Sequence, residues 1–370
     1  MLSANTGWYM WNFRRSLIRQ LRKRGHEVTI VAPQDDYLIR LQDDGIQTIN
    51  LNIAGRGVNI FRELWTVLSY LYHMVRVGPD IYIGFTVKPV LYGGLASRLL
   101  GVESVATITG LGIVFLKESM VTKIVRSLYR HVLRDAKQVI FQNNTDLELF
   151  RKEGMVQGEK TFRVHGSGVD LTRFKFVESK LRTPMDGLKF LTLARPFKDK
   201  GIYELASAAE AVKSRFPATE FLLAGAPDPT ATGGIPLSIL DKWNESGLIR
   251  YLGLVEDVVP LLMDVDCVIL PSYREGLSRS LLEAAASGRP SITTDVPGCR
   301  DVVVDGKTGL ICLSQSAEDL AEKINYFVQM SATERSSMGQ AARTMAEKYF
   351  SETVVVAAYL RAIENLERQI

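Results

Sequence analysis

The feature that most constrains the fold is a regular alternation of short apolar, β-branched runs with amphipathic stretches of helical period. This alternation is typical of βαβ units, in which each helix returns the chain to the next parallel strand. Two sets of such runs predict an α/β chain with two Rossmann-like domains rather than one long sheet. The predicted strands are HEVTIVAP, QTINL, DIYIGF, ESVATIT and QVIFQ, then LKFLTLA, EFLLAG, IRYLG, CVILP and PSITTD.

The length of 370 residues also favours two domains, because one ordinary core rarely extends over so many residues. The polar segment LTRFKFVESKLRTP, which ends at Pro184, predicts the linker. We therefore expect a first domain over 1–178 and a second over 179–351.

The charge is distributed unevenly between the halves. Residues 1–180 carry 25 Lys and Arg against 16 Asp and Glu, whereas residues 181–370 carry 20 against 25. The basic half predicts an anionic partner. No nucleic-acid-binding signature is present, so we expect no nucleic acid. Three cysteines without metal-type spacing predict buried, reduced thiols, and no apolar run is long enough to predict a membrane span.

Two glutamates, Glu275 and Glu283, lie eight positions apart in the segment PSYREGLSRSLLEAAASGRP. The apolar run VDCVILP precedes Glu275, and a helical pattern begins just after it. This order predicts that Glu275 lies in the loop at the carboxyl end of a strand, where open α/β sheets bind ligands. Glu283 then falls about two helical turns further along. We therefore expect both carboxylates to face one ligand.

The spacing and its surroundings resemble the Glu-x7-Glu signature of the family 4 glycosyltransferases, which are retaining enzymes of the GT-B fold. That resemblance implies two Rossmann-like domains that face each other across a cleft, and a C-terminal helix, 352–370, that completes the first domain. The run VPGCRDVVVDGKTGLI resembles a second motif of the family, with Asp301 where Glu is usual. The residues that match the first motif are Gly276, Leu277, Ser278, Leu282, Glu283, Ala284, Gly288 and Pro290.

By this resemblance, Glu283 binds the ribose hydroxyls of a nucleotide-sugar donor and Glu275 orients or polarises the donor sugar. The backbone amides of Gly276, Leu277 and Ser278 open the following helix and predict an anion site. The family needs no metal. From the same resemblance we expect a UDP-sugar as donor substrate, and no cofactor.

Two cations, Arg195 and Lys200, follow the strand LKFLTLA in the motif ARPFKDKG. Fixed cations at a strand end stabilise the charge that develops on a leaving diphosphate, and the family has Arg and Lys at these positions. Solvated loop cations are the alternative interpretation. Gly225 after EFLLA and Val255 after IRYLG are expected to flank the nucleotide, although strand-end glycines also form plain turns.

The first domain offers candidates for the acceptor side. Gly7 lies in the loop after the first strand, where the lack of a side chain would let a phosphate or acceptor approach closely. The stretch ATITGLG resembles a Thr-x-His-Gly loop of the family, with Thr109 at the histidine position and Gly110 beside it. Only Met1 and Leu2 precede the turn SANTGWYMWNF, so the first strand is either unusually short or begins upstream.

Two helical stretches in the basic half, 60–77 and 114–134, combine large apolar residues with basic ones. A basic face beside Trp and Tyr residues is typical of a helix that lies in a membrane interface. The alternative is that the apolar stripes belong to the core and the arginines are merely solvated. We expect contact with the anionic inner face of the cytoplasmic membrane. The basic stripe of the second stretch consists of Lys123, Arg126, Arg130 and Arg134.

Within the family, the order of motifs resembles bacterial enzymes that extend polyprenyl-diphosphate-linked oligosaccharides. The chain most resembles those that add N-acetylgalactosamine to undecaprenyl-diphosphate-linked diacetylbacillosamine. This predicts a peripheral membrane enzyme that moves a sugar, N-acetylhexosamine by preference, from a UDP-sugar to a polyprenyl-diphosphate-linked acceptor. The alternatives are a nucleotide-sugar epimerase or hydrolase on the same scaffold, or a non-catalytic membrane assembly partner.

Overall fold

A computed structural model describes residues 1–53, 59–111, 119–178, 180, 182–228 and 231–368. The chain forms two compact units. Unit 1 consists of Met1–Gly168 together with Glu352–Ile370, and unit 2 consists of Val169–Ser351. The boundary that we predicted between residues 178 and 179 therefore falls inside the segment assigned to unit 2.

Unit 1 contains a seven-stranded parallel sheet in the order β3-β2-β1-β4-β5-β6-β7. Its apolar strand residues pack against the helices on both faces, as expected of a sheet built from βαβ units. The last strand, β7, has partly exposed residues throughout and was not predicted. The strands are β1 (Leu2–Ser3), β2 (Thr29–Ala32), β3 (Gln47–Asn50), β4 (Ile81–Phe85), β5 (Glu103–Ile108), β6 (Gln138–Phe141) and β7 (Thr161–Arg163).

The helices of unit 1 form two sets. In one set α1 packs on α2 and α13, and in the other α4 packs on α3 and α5. Side-chain caps begin several of them: Asn59 caps α3 and Ser119 caps α5. The helices are α1 (Gly7–Lys23), α2 (Asp36–Asp43), α3 (Ile60–Val77), α4 (Gly94–Leu100), α5 (Met120–Asp135), α6 (Asn144–Lys152) and α13 (Glu352–Glu367).

The first strand, β1, consists of only two residues, yet it lies in the middle of the sheet. Leu2 pairs with Ile30 of β2 on one side and with Ile83 of β4 on the other. The amino group of Met1 donates to the Ile81 carbonyl at 2.8 Å. An unusually short strand is therefore enough to join the two sides of this sheet.

Unit 2 contains a six-stranded parallel sheet in the order β10-β9-β8-β11-β12-β13. All ten strands predicted from the sequence are present in the two sheets; β13, which begins at Gly309, was not predicted. The strands are β8 (Lys189–Leu193), β9 (Glu220–Ala224), β10 (Arg250–Gly253), β11 (Cys267–Leu270), β12 (Ser291–Thr294) and β13 (Gly309–Cys312). The helices are α7 (Ile202–Arg215), α8 (Leu237–Glu245), α9 (Val259–Asp264), α10 (Arg279–Ala286), α11 (Ala317–Gln329) and α12 (Ala332–Met345).

The three cysteines, Cys267, Cys299 and Cys312, are buried and form no disulfide, as predicted. Burial raises the pKa of the Cys299 thiol to about 12. Among the helices of the described residues, none is both long and apolar enough to span a membrane.

Candidate active site

The order of the strands in unit 2 creates a topological switch point at the carboxyl ends of β8 and β11. The chain runs outward from β8 to β9 and β10, and then returns to place β11 on the opposite side of β8. Open α/β sheets bind ligands at such a switch point, because the loops after the two central strands diverge there. The loop after β8 carries Arg195 and Lys200, and the loop after β11 carries Glu275.

Lys200 and Glu275 form an ion pair across this switch point. Nζ of Lys200 lies 2.6 Å from Oε1 of Glu275, and the two side chains are 20% and 18% exposed. The Ser272 hydroxyl donates to the same oxygen at 2.8 Å. Burial lowers the pKa of Lys200, but the carboxylates of Glu275 and Asp199 outweigh it and raise the pKa overall. The sheet order thus brings together two residues that are far apart in sequence.

The loop that carries Glu275 rests on the loop after β12. The Glu275 N–H donates to the Pro297 carbonyl at 3.1 Å. Gly298 has a φ of +78°, and a Cβ there would lie 2.4 Å from the Glu275 carbonyl oxygen, so the approach requires glycine. A carboxylate oxygen of Asp301 accepts from the Gly298 N–H at 2.9 Å. Asp301, which stands where the family usually has Glu, therefore fixes the support beneath Glu275.

The amino terminus of α10 follows directly. Ser278 caps the helix, since its hydroxyl accepts from the Leu281 N–H. Its own N–H donates to the Gly298 carbonyl at 3.0 Å, so this amide is engaged within the protein and not turned towards a ligand. Gly276 and Leu277 lie half-buried in the same loop.

Glu283 lies on α10 and pairs with Arg279 one turn earlier. Nε of Arg279 is 2.8 Å from Oε1 of Glu283, and the side chains are 18% and 15% exposed. Glu283 thus shares the helix that begins at the Glu275 loop, as the spacing predicted. Its carboxylate is paired with Arg279, a contact that the Glu-x7-Glu spacing does not predict.

The remaining candidates of unit 2 differ in their surroundings. Arg195 is exposed, its guanidinium lies 4.8 Å from the centre of the Phe197 ring, and it forms no ion pair among the described residues. A Cβ at Gly225 would lie 2.1 Å from the Ala194 carbonyl oxygen, so packing against the end of β8 already requires glycine there. Val255 is half-buried and packs on the core of unit 2.

In unit 1, Gly7 is the first residue of α1 and packs against the start of α2. A Cβ there would lie 2.2 Å from the Asp35 carboxylate, which also accepts from the Trp8 N–H at 2.9 Å. This close contact within the protein accounts for the glycine. Asp35 occupies the space that a side chain would fill, and the expected contact of Gly7 with a phosphate or acceptor stays a prediction.

Thr109 and Gly110 directly follow β5 at the carboxyl edge of the unit 1 sheet, and Gly110 has a φ of +130°. Thr86 occupies the equivalent place after the neighbouring strand β4 and has a φ of +65°, an uncommon conformation for a β-branched residue. The loops after β4 and β5 therefore meet at one edge of the sheet.

The basic stripe of α5 is largely tied to the protein itself. Arg126 lies 3.1 Å from the Glu153 carboxylate, and Arg130 donates to the Glu153 carbonyl at 3.2 Å. Arg134 lies 3.4 Å from the adjacent Asp135, whereas Lys123 is exposed. Arg130 and Arg134 are nevertheless exposed, so the contact of this stripe with an anionic membrane stays a prediction. The part of this stretch before residue 119 lies largely outside the described residues.

The exposed face of α3 is instead apolar and aromatic. Its members recur about every four residues, which places them along one side of the helix. Three large side chains, Phe61, Trp65 and Ile60, are 85%, 71% and 78% exposed. The complete set, here called the α3 apolar face, consists of Ile60, Phe61, Leu64, Trp65, Leu68, Tyr72 and Val75.

Comparison with known families decides the class of the chain. A family described as "Glycosyl transferases group 1" matches residues 174–345, and one described as "Glycosyl transferase 4-like domain" matches residues 10–190. Together the two matches extend over most of the chain. The chain belongs to the family 4 glycosyltransferases.

Similar curated proteins extend over nearly the whole of this glycosyltransferase. An N,N'-diacetylbacillosaminyl-diphospho-undecaprenol alpha-1,3-N-acetylgalactosaminyltransferase from Campylobacter jejuni is 26% identical over 99% of this chain and 98% of its own. A UDP-Gal:alpha-D-GlcNAc-diphosphoundecaprenol alpha-1,3-galactosyltransferase from Escherichia coli is 25% identical over 81% and 77%. A capsular polysaccharide biosynthesis glycosyltransferase from Staphylococcus aureus is 24% identical over 92% and 90%.

Solved structures share the fold of this glycosyltransferase. HepE from Anabaena, crystallised in complex with UDP and glucose, superposes with a TM-score of 0.80 over 98% of each chain, at 16% identity. A sucrose-phosphate synthase from Thermosynechococcus elongatus superposes with a TM-score of 0.79 over 100% and 99%, at 18% identity. The prediction of a GT-B fold is confirmed.

Sequence reasoning missed three contributors to the site of this glycosyltransferase. Ser272 lies within the quoted motif, but its bond to Glu275 depends on the loop conformation. Gly298 follows a proline, which is a turn signal, but its close contact with the Glu275 loop depends on packing. Tyr273, whose hydroxyl donates to Glu204 at 2.7 Å, gave no signal. Among the described residues, no group of three His, Cys, Asp or Glu is placed to hold a metal ion, and the expectation of a metal-free reaction stays a prediction.

Proposed function

We propose that this glycosyltransferase moves an N-acetylhexosamine from a UDP-sugar to a sugar linked to polyprenyl diphosphate, with retention of the anomeric configuration. The observation that carries the proposal is the end-to-end similarity to the Campylobacter enzyme, whose name specifies both an N-acetylgalactosaminyl transfer and a diphospho-undecaprenol acceptor. The Escherichia coli relative, whose name specifies UDP-galactose, supports a UDP-sugar as donor. Neither a metal nor a cofactor enters the proposal.

Donor binding is assigned to the switch point of unit 2. Arg195 and Lys200 meet the diphosphate, and their fixed charges stabilise it more strongly as it leaves than while it is bonded to the sugar. Glu275 orients the donor sugar, and Glu283 accepts hydrogen bonds from the ribose hydroxyls. The loop of Gly276, Leu277 and Ser278 lies beside the phosphates, with Gly225 and Val255 at the edges of the nucleotide.

The transfer itself needs no protein nucleophile in this scheme. The acceptor hydroxyl oxygen forms a bond to the anomeric carbon on the face from which the diphosphate departs. The bond between the anomeric carbon and the phosphate oxygen breaks, and the hydroxyl proton passes to that oxygen. The ion pair with Lys200, at 2.6 Å, holds the Glu275 carboxylate in place beside the donor sugar.

Acceptor binding is assigned to the carboxyl edge of the unit 1 sheet, at Thr109 and Gly110. A polyprenyl chain lies in a bilayer, so the enzyme must work at a membrane surface. We assign the contact with the cytoplasmic membrane to the α3 apolar face, whose aromatic and aliphatic side chains suit the headgroup boundary. The exposed Lys123 adds attraction to anionic lipid. Peripheral association with the inner face of this membrane follows from the proposal.

The testing experiment is a screen of UDP-sugars for release of UDP, with and without a polyprenyl-diphosphate-linked N-acetylhexosamine in detergent. We expect release with a UDP-N-acetylhexosamine only when the acceptor is also present. Rapid release without acceptor would instead support a nucleotide-sugar hydrolase or epimerase. Absence of release with every donor would support a non-catalytic assembly partner.

A further inference from the structure

Arg14, on α1, is a buried cation whose closest charge-stabilising neighbours are aromatic rings. It is 2% exposed and forms no ion pair among the described residues. Isolating a guanidinium from water is costly unless other groups stabilise its charge. Three aromatic rings stabilise the charge of Arg14. Its guanidinium carbon, Cζ, lies 4.5 Å from the ring centre of Phe85, 5.2 Å from that of Tyr359 and 5.4 Å from that of Tyr9. One nitrogen also donates to the Tyr9 hydroxyl at 2.7 Å.

A second bond connects Arg14 to the loop after β5. The neighbours of Gln142 determine the orientation of its amide, whose oxygen accepts from Nη2 of Arg14 at 3.3 Å. The amide nitrogen then donates to the Thr109 carbonyl at 3.3 Å. Gln142 follows β6, and Thr109 follows β5 in the same sheet. The bridge therefore crosses two adjacent strand ends.

The same guanidinium also borders the loop after β4. Phe85, the last residue of β4, stacks on Arg14 and is directly followed by Thr86. The backbone of Thr86 is left-handed, and its buried hydroxyl has no hydrogen-bond partner among the described residues. Strained backbone and an unsatisfied hydroxyl are both costly and persist where the surrounding structure holds them. Arg14 thus contacts the ends of β4 and β6 directly and reaches the end of β5 through Gln142.

We propose that Arg14 is a positioning residue for the acceptor: it holds the Thr109–Gly110 loop through Gln142, and the Thr86 turn through Phe85. The inference rests on the proposed function, which places the acceptor at this edge of unit 1. Arg14 does not contact the acceptor. A lysine has no planar guanidinium, so it cannot keep the stacking on the aromatic rings while it donates to Tyr9 and Gln142.

The test compares Arg14→Lys and Gln142→Leu with the wild-type enzyme, using a short-chain prenyl-diphosphate-linked N-acetylhexosamine as acceptor. We expect the acceptor KM to rise by about ten-fold or more in each variant, because small displacements of a positioning loop are costly to transfer. The donor KM and the affinity of the enzyme for UDP stay within about two-fold, since both belong to unit 2. The double variant loses no more than the worse single variant, because both break one chain of contacts.

Arg15→Lys is the matched control, because Arg15 is the adjacent arginine and pairs with Asp44 on the surface at 2.7 Å. Its acceptor KM stays at the wild-type value. An unchanged acceptor KM in folded Gln142→Leu, or equal rises in the acceptor and donor KM values, overturns the inference. Failure of the wild-type enzyme to transfer to this acceptor would overturn the proposed function instead, and is seen before any variant is made.

Discussion

Glu275 is held by two side chains, which bind its carboxylate, and by one loop, which fixes its backbone. Lys200 and Ser272 share one carboxylate oxygen, at 2.6 and 2.8 Å. The loop around Gly298 fixes its backbone. A carboxylate held at both its head and its backbone loses little conformational freedom when a donor binds, which is how a catalytic group is preorganised.

The first prediction concerns the ion pair itself. Glu275→Gln and Lys200→Met should each lower kcat by about 100-fold or more, because each removes a charge that acts on the developing transition state. The assay is transfer at saturating donor and acceptor, with thermal unfolding to show that each variant is folded. A folded Glu275→Gln variant with a near-normal kcat would contradict the role assigned to Glu275.

The second prediction compares two glycines of similar conformation. Gly298 and Gly306 have φ values of +78° and +69°. A Cβ at Gly298 would lie 2.4 Å from the Glu275 carbonyl oxygen, whereas a Cβ at Gly306 would lie more than 4 Å from every atom of the described residues other than Gly306 and its chain neighbours. Gly306→Ala should therefore cost about 1–2 kcal/mol of stability, from the left-handed backbone alone, and leave kcat unchanged. Gly298→Ala should lower the stability by about 1–3 kcal/mol more, because its Cβ overlaps the Glu275 loop. The overlap displaces this loop, so kcat should also fall.

Chemical denaturation and kcat, measured for both variants, separate these effects. Equal stability losses with equal kcat values would show that the contact between Gly298 and Glu275 is unimportant.

Helices α3 and α5 show how element-scale patterns differ from the packed structure. Both were predicted from helical period, and both helices are present. However, the apolar stripe of α5 divides: Val132 and Leu133 are buried, whereas Ile124 is 54% exposed. On α3 the apolar residues surround the helix, and one side has no covering element among the described residues.

The third prediction tests the α3 apolar face. The double variant Phe61→Ser and Trp65→Ser should lower binding to anionic vesicles by about ten-fold or more, since each large apolar side chain contributes about 1.5–3 kcal/mol on burial. Wild-type binding should persist at 1 M salt, where the Debye length is about 3 Å, because apolar insertion is not screened. Co-sedimentation with vesicles measures both effects.

Tyr326→Ser on α11 of unit 2 serves as the control, because Tyr326 is similarly exposed at 59%. Loss of wild-type binding at high salt, with no effect of the α3 substitutions, would show that charge alone mediates the contact.

At the scale of the whole molecule, the last helix belongs to the first unit. Tyr359, Leu360 and Ile363 of α13 are 1%, 6% and 4% exposed and pack in the core formed by α1 and the strands of unit 1. Unit 1 is therefore discontinuous in sequence, whereas unit 2 is a single segment.

The fourth prediction follows from this division. Leu360→Ala and Ile363→Ala should each destabilise unit 1 by about 2–5 kcal/mol through lost burial and an unfilled cavity. Unit 2 has its own core, so UDP binding should remain at temperatures where unit 1 has unfolded. Calorimetry with and without UDP measures this. Val354→Ala, at a residue 43% exposed on the same helix, should change the stability by less than about 0.5 kcal/mol. A single transition that UDP shifts as a whole would contradict independent units.

Strand positions were largely determined by local sequence, because a buried parallel strand requires a continuous apolar run and leaves a clear pattern. The strands that escaped prediction, β7 and β13, lie at the ends of their sheets. The residues of β7 are only partly buried, and β13 begins at a glycine. The sequence also predicted correctly that Glu275 lies in a loop and Glu283 on the helix that follows, since both positions depend only on spacing along the chain.

What the tertiary structure decided is which distant groups meet. The ion pair of Lys200 with Glu275 depends on β8 and β11 being neighbours, which no local pattern specifies. The reason for glycine at Gly7 and Gly225 is likewise a contact with another segment. The pairing of Arg126 with Glu153, and the burial of Arg14 among aromatic rings, changed the meaning of basic residues that looked alike in sequence. Periodicity records how each element faces the core, whereas charge pairing and close backbone contact depend on packing between elements.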